Sequence, residues 1–163
     1  MANFVKRSEV HTYIETGTVS GAPVYALFDA GVMALDDALN PATVTEQYIM
    51  DISSTTTVDA YQPSFAFTMR VDKDDEVATF IRTLGKSLAV GTAAETTIVR
   101  FDAWEIEVDG TVPAKQFAVA VAVDYTDNGE GGSKVEMAGT LYVQGDPIDG
   151  TFDTTDGSFT ATV

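Results

Sequence analysis

Residues 112–125 read V-P-A-K-Q-F-A-V-A-V-A-V-D-Y. Phe117, Val119, Val121 and Val123 alternate with Ala118, Ala120 and Ala122, the period of two that marks a β-strand. The valine side is a core face. The alanine side predicts another element packed closely over it. Asp109-Gly110 just upstream is a turn signal, and Asn128 to Ser133 (N-G-E-G-G-S) is a flexible loop.

Working outward, the same grammar recurs. Strands are expected at Thr43 to Ile52, Ser64 to Val71, Thr97 to Val108 and Lys134 to Gln144. A closing hairpin follows from Thr151-Phe152-Asp153 through a turn at Thr155-Asp156-Gly157 to Phe159–Val163. In Ser64–Val71, Phe65, Phe67 and Met69 share a face opposite Ala66, Thr68 and Arg70. Short runs of Thr, Val, Phe and Tyr parted by Gly, Asp and Asn predict an antiparallel, mainly β protein.

One segment breaks the period. Val77, Phe80, Ile81 and Leu84 fall at i, i+3, i+4 and i+7, predicting one amphipathic α-helix over about residues 73–85. Asp72 is its expected cap, and Asp74, Asp75 and Glu76 suit the positive end of its dipole. Arg82 and Lys86 suit the other end, and Gly85 is placed to end it. This helix is the natural cover for the alanine face. Two stretches read as long loops: residues 17–41, with Gly17, Gly21, Pro23 and Gly31, and residues 53–63, S-S-T-T-T-V-D-A-Y-Q-P. Loops that long in a compact domain tend to be functional.

The chain has 163 residues, which fits a single domain spanning 1–163. It contains no cysteine, which rules out disulfides and thiolate metal sites and suits a reducing cytoplasm. Met1 to Arg7 is followed by no apolar signal-like run, and Phe117–Val123 is far shorter than the ~20 residues of a membrane span. Twenty-five acidic residues against nine basic ones give a net charge of −16. Such a surface repels nucleic acid and anionic membranes, since phosphate binding depends on Lys and Arg. Yet 45% of residues are hydrophobic, too many for an acidic disordered chain.

A search for chemistry finds little. His11 is the only histidine, so a multi-histidine metal site or a Ser-His-Asp arrangement has little to draw on. G-E-G-G at 129–132 lacks the helix start and the Lys-Ser or Lys-Thr of a phosphate loop. Asp146, Asp149, Asp153 and Asp156 lack the dense D-x-D-x-D-G spacing of a calcium loop; Asp146-Pro147 and Asp149-Gly150 read as turn pairs. Trp104 is the only tryptophan, a thin basis for a sugar platform. The expectation is a non-enzyme without cofactor or metal.

The second half has a recognisable order. Tyr61-Gln62-Pro63-Ser64 leads a strand, and Asp72-Lys73-Asp74-Asp75 opens a helix closing in Leu84-Gly85-Lys86. Leu88-Ala89-Val90-Gly91 follows, and Pro113-Ala114-Lys115 leads the Val/Ala strand. After the Gly-rich loop comes Gly145-Asp146-Pro147-Ile148-Asp149-Gly150-Thr151-Phe152. Together these pieces, over about Tyr61 to Phe159, resemble the major tail tube proteins of siphophages that infect Gram-positive bacteria.

That resemblance implies an antiparallel β-sandwich or partial barrel flanked by one helix, and a structural virion protein. Six copies would form a ring, each lending strands to a continuous inner barrel, and rings would stack into the tail tube through which DNA passes without specific binding. The implied partners are further copies of the chain and the tape measure, tail terminator and distal tail proteins. The place of assembly would be the host cytoplasm.

In such proteins an N-terminal arm and a long loop bridge adjacent rings. By position these are residues 1–10 and about 53–63, with 17–41 as the rival loop. The candidate inter-ring contacts are Phe4, Val5, Thr55, Thr57, Val58 and Tyr61. Glu46, Asp51, Asp102, Glu105 and Glu107, read as lying on or beside strands, are the candidate lumen carboxylates. The alternatives are the inner tube of a contractile tail or related injection device, and a calcium- or carbohydrate-binding β-sandwich.

Overall fold

The computed structural model describes every residue from Met1 to Val163. The strands are β1 (Val10–Val19), β2 (Ala22–Leu27), β3 (Val32–Ala38), β4 (Pro41–Glu46), β5 (Thr55–Tyr61), β6 (Ser64–Arg70), β7 (Glu95–Asp102), β8 (Thr111–Asn128), β9 (Glu136–Asp153) and β10 (Ser158–Ala161). One helix, α1 (Glu76–Lys86), lies between β6 and β7. The fold is mainly β and antiparallel with one helix, as the alternation predicted.

Seven strands run in the order β2-β1-β7-β8-β9-β6-β3, and β10 joins the far half of β9. The 18-residue strands β8 and β9 form the spine. Register shifts at Gln116/Ala118 and Val123/Tyr125 let this long ladder bend. The sheet therefore curls, bringing Ile14 of β1 and Ile98 of β7 into one cluster with Phe65, Phe67, Leu141 and Val121. A second cluster joins Tyr25, Val99, Phe101, Val112, Ala114 and Phe152. Neighbours Ile98 and Val99 thus serve opposite faces, and both are fully buried.

Helix α1 seats Val77, Ala78 and Ile81 in the first cluster, with Phe80 and Leu84 at its margin. It packs on the valine side of β8, not on the alanine side as expected. Gly85 explains the fit: a β-carbon there would lie 2.9 Å from Val123 Cγ1. Glycine is present for close approach, and the helix runs past it to Lys86. Asp75, not Asp72, is the N-cap, its carboxylate accepting the Ala78 amide at 2.8 Å. Asp72 closes the preceding turn by accepting the Asp74 amide.

Other expectations also shift. Residues 17–41 hold the end of β1, all of β2 and β3, and the tight turns between them. Residues 53–63 are mostly strand β5, paired with β4 as a separate two-stranded ladder. The strand expected at Thr43–Ile52 ends at Glu46, and the one expected at Thr97–Val108 ends at Asp102 before a short 3-10 turn, Ala103–Glu105. Asp146-Pro147 and Asp149-Gly150 are not turns. They lie within β9, whose irregularity opposite Gln116/Ala118 absorbs Gly145 at φ 70°.

Candidate assembly surface

Four strands set the candidate surface: β3, β6, the near half of β9 and the far half of β8. Their inner face carries Leu35, Phe65, Phe67, Met69, Leu141 and Val121 into the core. Their outer face is built of short side chains in rungs that follow from the pairing. One rung runs Ala38, Ser64, Tyr142, Ala120; the next runs Asp36, Ala66, Thr140, Ala122. Below them Ala34, Thr68, Ala138 and Tyr125 form a third. Within these rungs Asp36 is the one charged residue. At the end of the sheet Arg70 sits opposite Glu136, paired at 3.7 Å.

Both lateral edges of this stretch are open. β3 ends the strand order, so only β6 pairs with it. Arg7 caps a single point on its free side, Nη2 donating to the Leu35 carbonyl at 3.1 Å. On the far side, β7 stops at Glu95 opposite Ala120, leaving Val121–Asn128 paired only with β9. Unpaired edges are templates for joining another strand.

From the top of β3 and β6 the chain projects outward as the β4–β5 hairpin. Asn40, at φ 47°, makes the bend, and its amide donates to the Gln62 carbonyl at 3.0 Å and to Ser64 Oγ at 3.2 Å. Every residue of β4 and β5 is exposed. Thr55, Thr57, Val58 and Tyr61 all lie on β5, opposite Glu46, Val44, Thr43 and Pro41. Phe4 and Val5 are exposed in the segment before Lys6, which precedes the short 3-10 turn Arg7–Glu9. The expected arm therefore ends where β1 begins, at Val10.

The five candidate carboxylates do not share a face. Glu46 ends β4 and accepts the Tyr48 hydroxyl at 2.8 Å; Asp51 sits in the hairpin tip and accepts the Tyr48 amide at 3.2 Å. Asp102 ends β7, Glu105 lies in a 3-10 turn, and Glu107 begins the turn closed at Thr111. Asp51, Glu105 and Glu107 are turn residues, against the reading that put them on or beside strands. Composition pointed toward acids, whereas the exposed sheet face is marked by Ala66, Ala118, Ala120 and Ala122. The alternation of Ala118, Ala120 and Ala122 is visible in the sequence, where it reads as a packed face.

Between the layers, Arg100 lies 4.6 Å over the Phe65 ring and pairs with Asp37 at 3.6 Å. Burial pulls its pKa below the usual arginine range, and Asp37 opposes that pull. It ties β7 to β3 and so holds the two layers in register.

These features define a curled antiparallel β-sandwich bearing one helix, two open edges and an unpacked hairpin. In fold it is similar to a chain of the anti-feeding prophage baseplate, solved by cryo-EM with six-fold symmetrisation. The TM-score is 0.50 at 9% identity, covering 91% of this chain and 97% of that one. Neither a protein-family model nor a curated protein matches the chain in sequence.

Proposed function

We propose that this chain is a structural subunit of a phage tail or related injection device, and within it the tube protein. Six copies form a ring and rings stack into a channel for DNA. The observation that carries this reading is the four-stranded stretch with two open edges and a smooth outer face. Joining β3 of one copy to the far half of β8 of the next makes a continuous barrel whose inside surface is that face.

With about 4.8 Å between strands and a tilt of ~40°, six such stretches close at roughly 48 Å across. Allowing for the side chains leaves about 40 Å, room for a duplex of roughly 20 Å. The wall would hold DNA loosely because it offers no free cation: Arg70 is engaged by Glu136. The gap to the wall is comparable to the ~8 Å Debye length, so the field of the acidic subunits acts as a soft cushion. Glu46 and Asp51 then belong to the hairpin that bridges rings, Asp102 to the end of β7, and Glu105 and Glu107 to the segment before β8. The chain needs no cofactor or catalytic group for this role.

Negative-stain microscopy of the concentrated protein, or of tail extracts, tests the proposal. Hexameric rings or tubes about 100 Å wide are expected, the barrel plus roughly 25 Å of outer layer on each side. Solitary particles under every assembling condition would overturn it. The likeness to a baseplate chain favours one second reading, the inner tube of a contractile device. A sheath-protein gene beside this one would select it.

A further inference from the structure

The hairpin tip has a destination on another copy. We propose that it docks into the hollow at the opposite end of the sheet, formed by Val32, Met33, Arg70, Val71, Lys73 and Lys134. The setting rests on the tube reading; the contact itself is argued separately, as follows.

The tip exposes Tyr48 at 69%, Ile49 at 101%, Met50 at 89% and Ile52 at 100%. An apolar cluster at the end of a projection marks an interaction site. A two-stranded hairpin is also marginal alone in water, so it gains order from a partner. Its strands of six and seven residues carry the tip about 20 Å beyond the body.

Charge selects the partner surface. Residues 39–63 hold Glu46, Asp51 and Asp59 and no Lys or Arg. Two hollows carry three cations each, the charge an acidic, apolar guest needs. The larger, about 870 Å³, has three cations but five acids on its lining, among them Asp36, Asp102 and Glu105. It repels the hairpin. The other, about 590 Å³, is lined by Arg70, Lys73 and Lys134 with one acid, Asp72, around Val32, Met33 and Val71. Lys73 and Lys134 have no carboxylate within ion-pair distance, so they are free to meet Asp51.

Topology makes the contact propagate. The hairpin leaves β3 and β6 at Ala38 and Ser64, whereas the hollow lies where Val32 faces Met69 and Arg70. Donor and acceptor are different patches at opposite ends of one ladder. A contact between them is head-to-tail, and in a stack along the strands it repeats from copy to copy.

The absence of cysteine supplies a clean test. Met50→Cys and Met33→Cys alter exposed side chains. Mixed as separate full-length proteins under mild oxidation, they should give a disulfide-linked heterodimer far in excess of either homodimer. Lys73→Glu with Lys134→Glu in the Met33→Cys partner should cut its yield tenfold or more, and Asp51→Lys in the Met50→Cys partner should restore it. Tubes with no 33–50 cross-link would overturn the docking site and leave the tube reading standing. A charge-dependent cross-link in closed, poreless particles would uphold the docking site and sink the tube. Neither tubes nor cross-link would sink both, and cross-linking indifferent to charge would overturn the proposed acceptor.

Discussion

Gly139 of β9 lies directly beneath the Phe67 ring: a β-carbon there would stand 2.9 Å from Phe67 Cζ and press on the Ala122 carbonyl. The neighbouring atom is backbone, which cannot rotate away. Gly139→Ala should therefore cost about 3 kcal/mol of stability, the upper range for overpacking, read from urea unfolding. An unchanged midpoint would contradict this packing.

Gly85 poses a closer contest. Alanine would gain about 1 kcal/mol of helix propensity in α1. It would also drive a methyl against Val123 and Thr126, both stiff β-branched side chains. Overpacking of about 2 kcal/mol wins, so Gly85→Ala should lower stability by roughly 1 kcal/mol. A stabilised variant would show the helix free to move outward.

How much of this was legible in the sequence differs by element. The helix was readable because Val77, Phe80, Ile81 and Leu84 leave one spacing that fits. The β8 alternation is equally readable, but not which partner covers which of its faces. Alanine is as compatible with a covered face as with an open one, and only the placement of α1 decides. The hairpin strands were harder still. Thr-rich β5 buries nothing, so it leaves no apolar period to detect. The lumen candidates failed to gather because one-dimensional order cannot show that the chain leaves the strand after Asp102, which puts Glu105 and Glu107 in turns.

Ala122 tests the proposed wall. It is exposed on the far half of β8, so Ala122→Arg should leave stability within about 0.5 kcal/mol. In assembled tubes it would add one cation per copy to the channel. DNA release should slow and gain a dependence on salt concentration, measured by ejection from phage carrying the variant. Normal release at low salt would move the wall elsewhere.

Asp127 gives the acid response a sign. Arg82 donates to its carboxylate through Nη2 at 2.5 Å and Nε at 3.2 Å, holding its pKa below the usual carboxylate range, with help from Thr126 and Lys86. A depressed folded pKa contributes stability that is fully present above the unfolded value, about 3.9, and lost as pH falls through the folded one. The pair is exposed, so its contribution is small. Urea midpoints of Asp127→Asn should lie below those of the parent at neutral pH and converge with them below about pH 4. A constant gap down to pH 2 would remove the pair as the cause.

The four strands β3, β6, β9 and β8 alternate in direction, so the last runs opposite to the first. In the proposed ring, a neighbour related by simple rotation would meet it antiparallel, with the same hydrogen-bond pattern at the seam as within the subunit. An odd strand count would force a parallel seam at every junction around the circle. In such a ring, longer subunits that keep an antiparallel seam would widen the bore two strands at a time, as whole hairpins.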